Sequence, residues 1–211
     1  MRYESLILDI DGTLWDSRAL VAEGYNIQLR AEGLGHLCMD AEVLRPLFGQ
    51  TMAAIADVIF ASVPVPERYS LMERCMDTEN KYLAENECRI GYAGVKETLE
   101  QLSKDYRLFI VSNAQCGYPE LCMEKLGLNH LMEGHLCYGD TGTEKGETIL
   151  ELMRRHKIRS AAYIGDTQGD YEATQVANIP FLWAAYGFGN PSAYAARLDR
   201  IDQLPEILNA L

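Results

Sequence analysis

Leu6-Ile7-Leu8-Asp9-Ile10-Asp11-Gly12-Thr13 opens the chain with an apolar run that ends in two acids, a glycine and a hydroxyl. The apolar part reads as a short, buried strand. Side chains alternate along a strand, so Asp9 and Asp11 can share a side while Ile10 points away. Two carboxylates held this close repel each other. Either one takes up a proton or a cation sits between them. Hard carboxylate oxygens suit Mg²⁺. Gly12 lets the backbone turn tightly, and its N–H can face an anion. The plainer account of the same residues is a strand end followed by an ordinary Asp-Gly-Thr turn.

Further apolar runs extend the pattern: Leu108–Val111, Leu136–Tyr138, Ala161–Ile164 and Phe181–Trp183. Near-continuous hydrophobicity is what strands covered on both faces need, as in a parallel sheet. Helical periods separate the later strands: Val95, Leu99 and Leu102, then Ile149, Leu152 and Met153. Strand and helix alternate over residues 94–211, which predicts a doubly wound, Rossmann-like α/β fold. Residues 15–89 differ, with helical periods and no convincing strand. Met52, Ile55, Ala56, Ile59 and Phe60 form one stripe; Leu20, Gly24, Ile27, Ala31 and Leu34 a weaker one; Tyr69, Met72, Met76 and Leu83 another. Ser62-Val63-Pro64-Val65-Pro66 breaks that segment between helices. The expected organisation is a core of residues 1–14 and 90–211 with a helical subdomain inserted at 15–89. No internal repeat or low-complexity tract is present.

Three more groups follow predicted strands or their loops. Ser112-Asn113 could offer a hydroxyl and an amide to a phosphate. Lys145 stands ahead of a helical pattern, against the helix dipole unless an anion sits there too. Asp166 follows the fourth apolar run and could add a carboxylate to a metal. Asp170, four residues on, could orient Lys145 or a metal-bound water. Each has an ordinary reading as a turn, a solvated lysine or an N-capped helix. Together they are more telling, because strand ends in a doubly wound sheet meet at one edge, where ligands bind.

Composition excludes several classes. The 211 residues are 48% hydrophobic and 24% charged, the balance of a folded chain rather than a disordered one. No apolar run approaches the ~20 residues of a membrane helix, and the first run is too short for a secretory signal. The net charge of −12, without a basic stripe, argues against nucleic acid. The cysteines Cys38, Cys75, Cys88, Cys116, Cys122 and Cys137 contain no C-x-x-C, which points to reduced thiols and a cytoplasmic location. Cys116 reads as a buried bystander. His36, His130, His135 and His156 lack metal-ligand spacing.

In this order, Asp9-Ile10-Asp11-Gly12-Thr13, Ser112-Asn113, Lys145 and Gly165-Asp166-Thr167-Gln168-Gly169-Asp170 resemble the motifs of the haloacid dehalogenase-like superfamily. The resemblance spans nearly the whole chain. Residues 9–17 are close to the opening of phosphoglycolate phosphatase-like members, and Tyr186-Gly187-Phe188-Gly189 resembles their late segment. The insertion looks like the cap placed between the first and second motifs. Ala93 and Gly146 stand where that family often has proline.

The resemblance implies a Mg²⁺-dependent phosphatase acting on a small phosphomonoester. Asp9 would attack phosphorus and form an aspartyl-phosphate; Asp11 would be the acid and base. The metal would be held by Asp9, the Asp11 carbonyl and Asp166. Gly12 and Thr13 (through their N–H groups), Ser112, Asn113 and Lys145 would hold or shape the phosphate site, with Asp170 behind them. Asp11 argues against a dehalogenase. Gln50 after Gly49, and Thr13, favour hydrolysis over a sugar phosphomutase. A mutase and a non-catalytic phospho-ligand module stay open, as do the substrate and the choice between monomer and homodimer. Leu47–Thr51 is the expected substrate-facing cap loop.

Overall fold

The computed structural model describes residues 3–87 and 89–211; Cys88 lies outside them. In chain order, β1 (Ser5–Leu8) is followed by α1 (Arg18–Ala31), α2 (Ala41–Leu44), α3 (Met52–Ile59) and α4 (Val65–Glu85). Then come α5 (Val95–Leu102), β2 (Arg107–Ser112), α6 (Tyr118–Leu126), β3 (Met132–Cys137), α7 (Tyr138–Thr141) and α8 (Lys145–His156). β4 (Ala161–Gly165), α9 (Gln168–Ala177), β5 (Phe181–Ala184), β6 (Ala196–Leu198) and α10 (Leu204–Ala210) complete it. The chain forms two compact units, Met1–Asp16 with Ile90–Leu211, and Ser17–Arg89.

The first unit holds one sheet of six strands in the order β3-β2-β1-β4-β5-β6. Every pairing is parallel. This is the doubly wound order, with its topological switch point between β1 and β4. Ile7, Phe109, Val111, Ala161, Tyr163, Phe181 and Trp183 pack one sheet face against Ile149 and Leu152 of α8 and Ala173 and Ala177 of α9. Leu6, Leu8, Leu108, Ile110, Ala162 and Ile164 alternate to the other face and are equally buried. Both faces are therefore dry, and truncating a ring such as Phe109 to alanine costs about 3–5 kcal/mol.

Two edge strands differ from the sequence expectation. β3 begins at Met132, before the apolar run, and Tyr138 already belongs to α7. Its first residues are half-buried or exposed at the sheet edge, so they carry no apolar signal. β6, three residues at the opposite edge, has none either.

The second unit is helical, as its periodicity predicts. In α3 the predicted stripe holds, with Ile55, Ala56 and Phe60 buried, while the buried faces of α1 and α4 shift from theirs. In α1 the buried set is Val21, Ala22, Gly24, Tyr25, Asn26 and Leu29, whereas Ile27 is exposed. Asn26 is buried because its side chain exchanges hydrogen bonds with the Met39 backbone, at 2.7 and 2.9 Å. Gly24 abuts the Glu79 backbone so closely that a Cβ would come within 2.7 Å, which lets α1 lie tight on α4. In α4 the buried line runs Met72, Cys75, Glu79, Leu83, with Leu71 beside it and Tyr69 exposed. Leu47–Thr51 forms the turn between α2 and α3, with Gly49 at φ +88 and Thr51 capping α3.

Candidate active site

β1 pairs Leu8 with Ile110 of β2 on one side and with Ile164 of β4 on the other. Extending the register by two residues brings Ile10, Ser112 and Asp166 level at the C-terminal edge. Asp9 N–H donates to Ile164 O at 2.9 Å, anchoring the strand end. The switch point thus collects Asp9, Asp166 and, from α9, Asp170. A carboxylate oxygen of each lies within 4.8 Å of the others, and all three side chains are buried.

Lys145 is the first residue of α8 and only 4% exposed. Its Nζ lies 2.6 Å from Asp170 Oδ1 and 3.1 Å from Asp9 Oδ1. Gly146 brings α8 close to α9, since a Cβ there would come within 2.7 Å of Val176. Burial alone would pull the lysine pKa down, but Asp170 and Asp9 hold it above its ordinary value. The dipole penalty expected for a lysine at this helix start is offset by these two acids.

The acids separate in character. Asp170 is saturated: Oδ1 takes Lys145, and Oδ2 accepts from Asp166 N, Thr167 N and Thr167 Oγ1 at 2.8–3.1 Å. Burial would raise its pKa, yet Lys145 and Thr167 bring it below the usual value. Asp9 is raised to about 7, burial outweighing the attraction of Lys145. Asp166 is also raised well above the ordinary value, by burial first and then by Asp170 and Asp9.

Asp166 Oδ2 accepts from Phe188 N at 2.6 Å, while its Oδ1 is buried with no hydrogen-bond partner. An orphaned oxygen beside Asp9, in a cluster with more acids than cations, fits a hard divalent cation. Asp9 and Asp166 can hold a metal ion, while Asp170 is committed to Lys145. Glycines make room for this arrangement. A Cβ at Gly12 (φ +78) would sit 2.2 Å from Asp166 Oδ2, and one at Gly187 would sit 2.4 Å from Asp166 Cβ.

Asp11 stands outside that cluster. Its Oδ1 accepts from Trp15 Nε1 at 2.8 Å and from Tyr118 OH at 2.9 Å. The two rings meet edge-on, with centroids 5.5 Å apart. Trp15 and Tyr118 were not singled out by sequence reasoning. Both look like core aromatics, and Tyr118 is 107 positions from its partner.

Ser112 is buried at the end of β2 and Asn113 follows it, half-buried. The expectation for Gly12 and Thr13 needs correction. Gly12 N–H donates to Trp15 O at 2.9 Å and Thr13 N–H to Ile10 O at 3.2 Å. The turn closes on itself, so these two N–H groups are spent on the chain rather than offered to a phosphate. Cys116 is also corrected. It is exposed, because it lies in the β2–α6 loop rather than in an element.

A sequence model of haloacid dehalogenase-like hydrolases matches residues 6–184. A phosphoglycolate phosphatase of Xanthomonas campestris pv. campestris is 28% identical over 200 residues, covering 89% of this chain and 86% of the relative. Another, from Rhodobacter capsulatus, is 24% identical over 220 residues, covering 97% and 96%. A crystal structure of a predicted phosphatase from Clostridium acetobutylicum superposes with a TM-score of 0.84 at 19% identity, over 100% of both chains. At that identity the superposition speaks for the fold. Among the described residues, no helix is long and apolar enough to cross a membrane.

Proposed function

The chain belongs to the haloacid dehalogenase-like hydrolase family, and from that premise we propose that it is a Mg²⁺-dependent phosphatase of small phosphomonoesters. The observation that carries this reading is the buried lysine set between a nucleophile candidate and a saturated acid: Asp9, Lys145 and Asp170, within 3.1 Å of contact. Asp9 attacks phosphorus, a P–O bond forms on its carboxylate, and the ester P–O bond breaks. Asp11 gives its proton to the departing alkoxide. In the second step Asp11 takes a proton from water, whose oxygen attacks the phosphoryl group. Inorganic phosphate leaves and Asp9 is restored.

Lys145 and Ser112 hold the phosphoryl oxygens, and Asp170 keeps Lys145 in place. Trp15 and Tyr118 fix the carboxyl plane of Asp11, and this orientation is a large part of phosphoryl-transfer catalysis. Bound Mg²⁺, held by Asp9, Asp166 and the Asp11 carbonyl, supplies positive charge that screens the anionic nucleophile from the anionic ester. Asn113 shapes the neighbouring loop. The helical insertion between Asp11 and Ser112 takes the part of a substrate cap, as its place in the chain supports.

Phosphoglycolate is the first substrate we assign for trial, on the names of the curated relatives. The test is phosphate release from a panel of small phosphomonoesters, with Mg²⁺ and with EDTA. The expected result is Mg²⁺-dependent release with phosphoglycolate among the preferred esters. Asp11→Asn is expected to slow release while keeping Mg²⁺ affinity. No release from any ester in the panel overturns the reading.

A further inference from the structure

Cys116, Cys137 and Asp140 take no part in the chemistry above, yet the fold gathers them. Cys137 ends β3, Asp140 lies in α7 and Cys116 in the loop between β2 and α6. Both Sγ atoms and a carboxylate oxygen lie within 4.8 Å of one another. Cys137 Sγ is 3.1 Å from Asp140 Oδ2, and Cys116 Sγ is 3.7 Å from Asp140 Oδ1. Around tetrahedral zinc, with Zn–S near 2.3 Å and Zn–O near 2.1 Å, neighbouring ligand atoms sit about 3.6–3.8 Å apart. Each sulfur already stands near that spacing from an oxygen of the Asp140 carboxylate, Cys116 from Oδ1 and Cys137, somewhat closer, from Oδ2.

The backbone holds them there. Gly139 N–H donates to Ala114 O at 3.1 Å, and a Cβ at Gly139 would come within 2.4 Å of Cys116 N. The cysteine loop is thus laid directly on the start of α7. Cys137 N–H donates to Asp140 Oδ2 at 2.9 Å, which orients the carboxylate. Cys137 is buried and Cys116 is exposed, so one ligand is fixed in a dry setting and the other faces the entry path.

We propose that Cys116, Cys137 and Asp140 form a binding site for a thiophilic divalent cation of the zinc type, distinct from the Asp9–Asp166 site. Two sulfur ligands select such a cation over Mg²⁺, which prefers oxygen. Three protein ligands leave the fourth position to water. Without a metal the two thiols carry their protons at neutral pH, as ordinary cysteines do. Binding forms two metal–sulfur bonds and releases those two protons, and affinity falls as pH falls. Occupancy ties the loop that runs from Ser112 toward Tyr118 to the end of β3.

The probe is Co²⁺, titrated into the full chain after chelator treatment and under a non-coordinating reductant. The expected result is a sulfur-to-cobalt charge-transfer band that saturates at one equivalent and is removed by Zn²⁺. Cys116→Ser removes an exposed ligand without disturbing the core, and is expected to weaken binding by at least about tenfold. Asp166→Asn, which disables the other cluster, is expected to leave the band unchanged. No band in the native chain, or a band unaltered in Cys116→Ser, overturns the proposal whatever the phosphatase assay shows.

Discussion

At Asp11 an indole N–H and a phenol O–H meet one carboxylate oxygen, from Trp15 and Tyr118. Together these two donors act on the orientation of Asp11. Tyr118→Phe keeps the buried ring and removes one donor. A hydrogen bond to a charged group is worth about 1.5–3 kcal/mol, so kcat is expected to fall roughly tenfold or more. KM for the preferred ester is expected to stay nearly constant. Steady-state kinetics that show a raised KM with unchanged kcat contradict this positioning role. The same residues show what a sequence can and cannot disclose. Asp9, Lys145, Asp166 and Asp170 were legible because each follows a strand or opens a helix at one sheet edge. Tyr118 was not, since nothing local distinguishes its hydroxyl from that of any buried tyrosine. Gly12 and Thr13 failed for a different reason. Spacing locates a turn, but which carbonyls its N–H groups meet depends on how the turn closes.

The elements set the site through close approaches that only small residues allow. Gly187 lies against both Asp166 Cβ and Gly12 O, each 2.4 Å from where a Cβ would stand. Gly187→Ala is therefore expected to push Asp166 aside and lower Mg²⁺ affinity about 10–100-fold, the range for lost support behind a ligand. Calorimetric titration checks this; native affinity in the variant contradicts it. In the helical unit, Arg74 of α4 grips Glu32 at the end of α1 with two contacts of 2.6 and 2.8 Å. Arg74 and Gln28 bring the Glu32 pKa down from 4.5 to about 2. A lowered carboxyl pKa gives stability that is fully present above the unfolded value and lost as pH falls toward the folded one. Replacing Glu32 by Gln is expected to cost about 0.5 kcal/mol above pH 4.5, with the difference shrinking below it, as for a surface pair. A difference that grows on acidification, in denaturant melts across that range, goes against the assignment. The helices themselves were legible from their period, but the buried face of α1 was not. Gly24 of the predicted stripe is buried, but so is Asn26, which is held there by hydrogen bonding and does not look apolar.

Over the whole molecule, the doubly wound order places the ends of β1, β2 and β4 side by side, so residues over 150 positions apart share one site. The alternation of strand and helix made this legible, while β6 and the start of β3 lie at edges where water replaces apolar neighbours. A metal that binds only the folded chain stabilises it by mass action, by about 2.7 kcal/mol at a hundredfold excess over Kd. Mg²⁺ is expected to raise the melting temperature of the native chain and to have little effect on Asp166→Asn. Equal shifts in the two proteins contradict the assignment of Asp166 as a ligand. The nucleophile is tested most directly by rapid acid quench during turnover of the preferred ester, followed by peptide mass spectrometry. One phosphoryl group is expected on the peptide that contains Asp9, absent in Asp9→Asn together with all turnover. Steady phosphate release with no phosphorylated Asp9 peptide, or native turnover in Asp9→Asn, contradicts it.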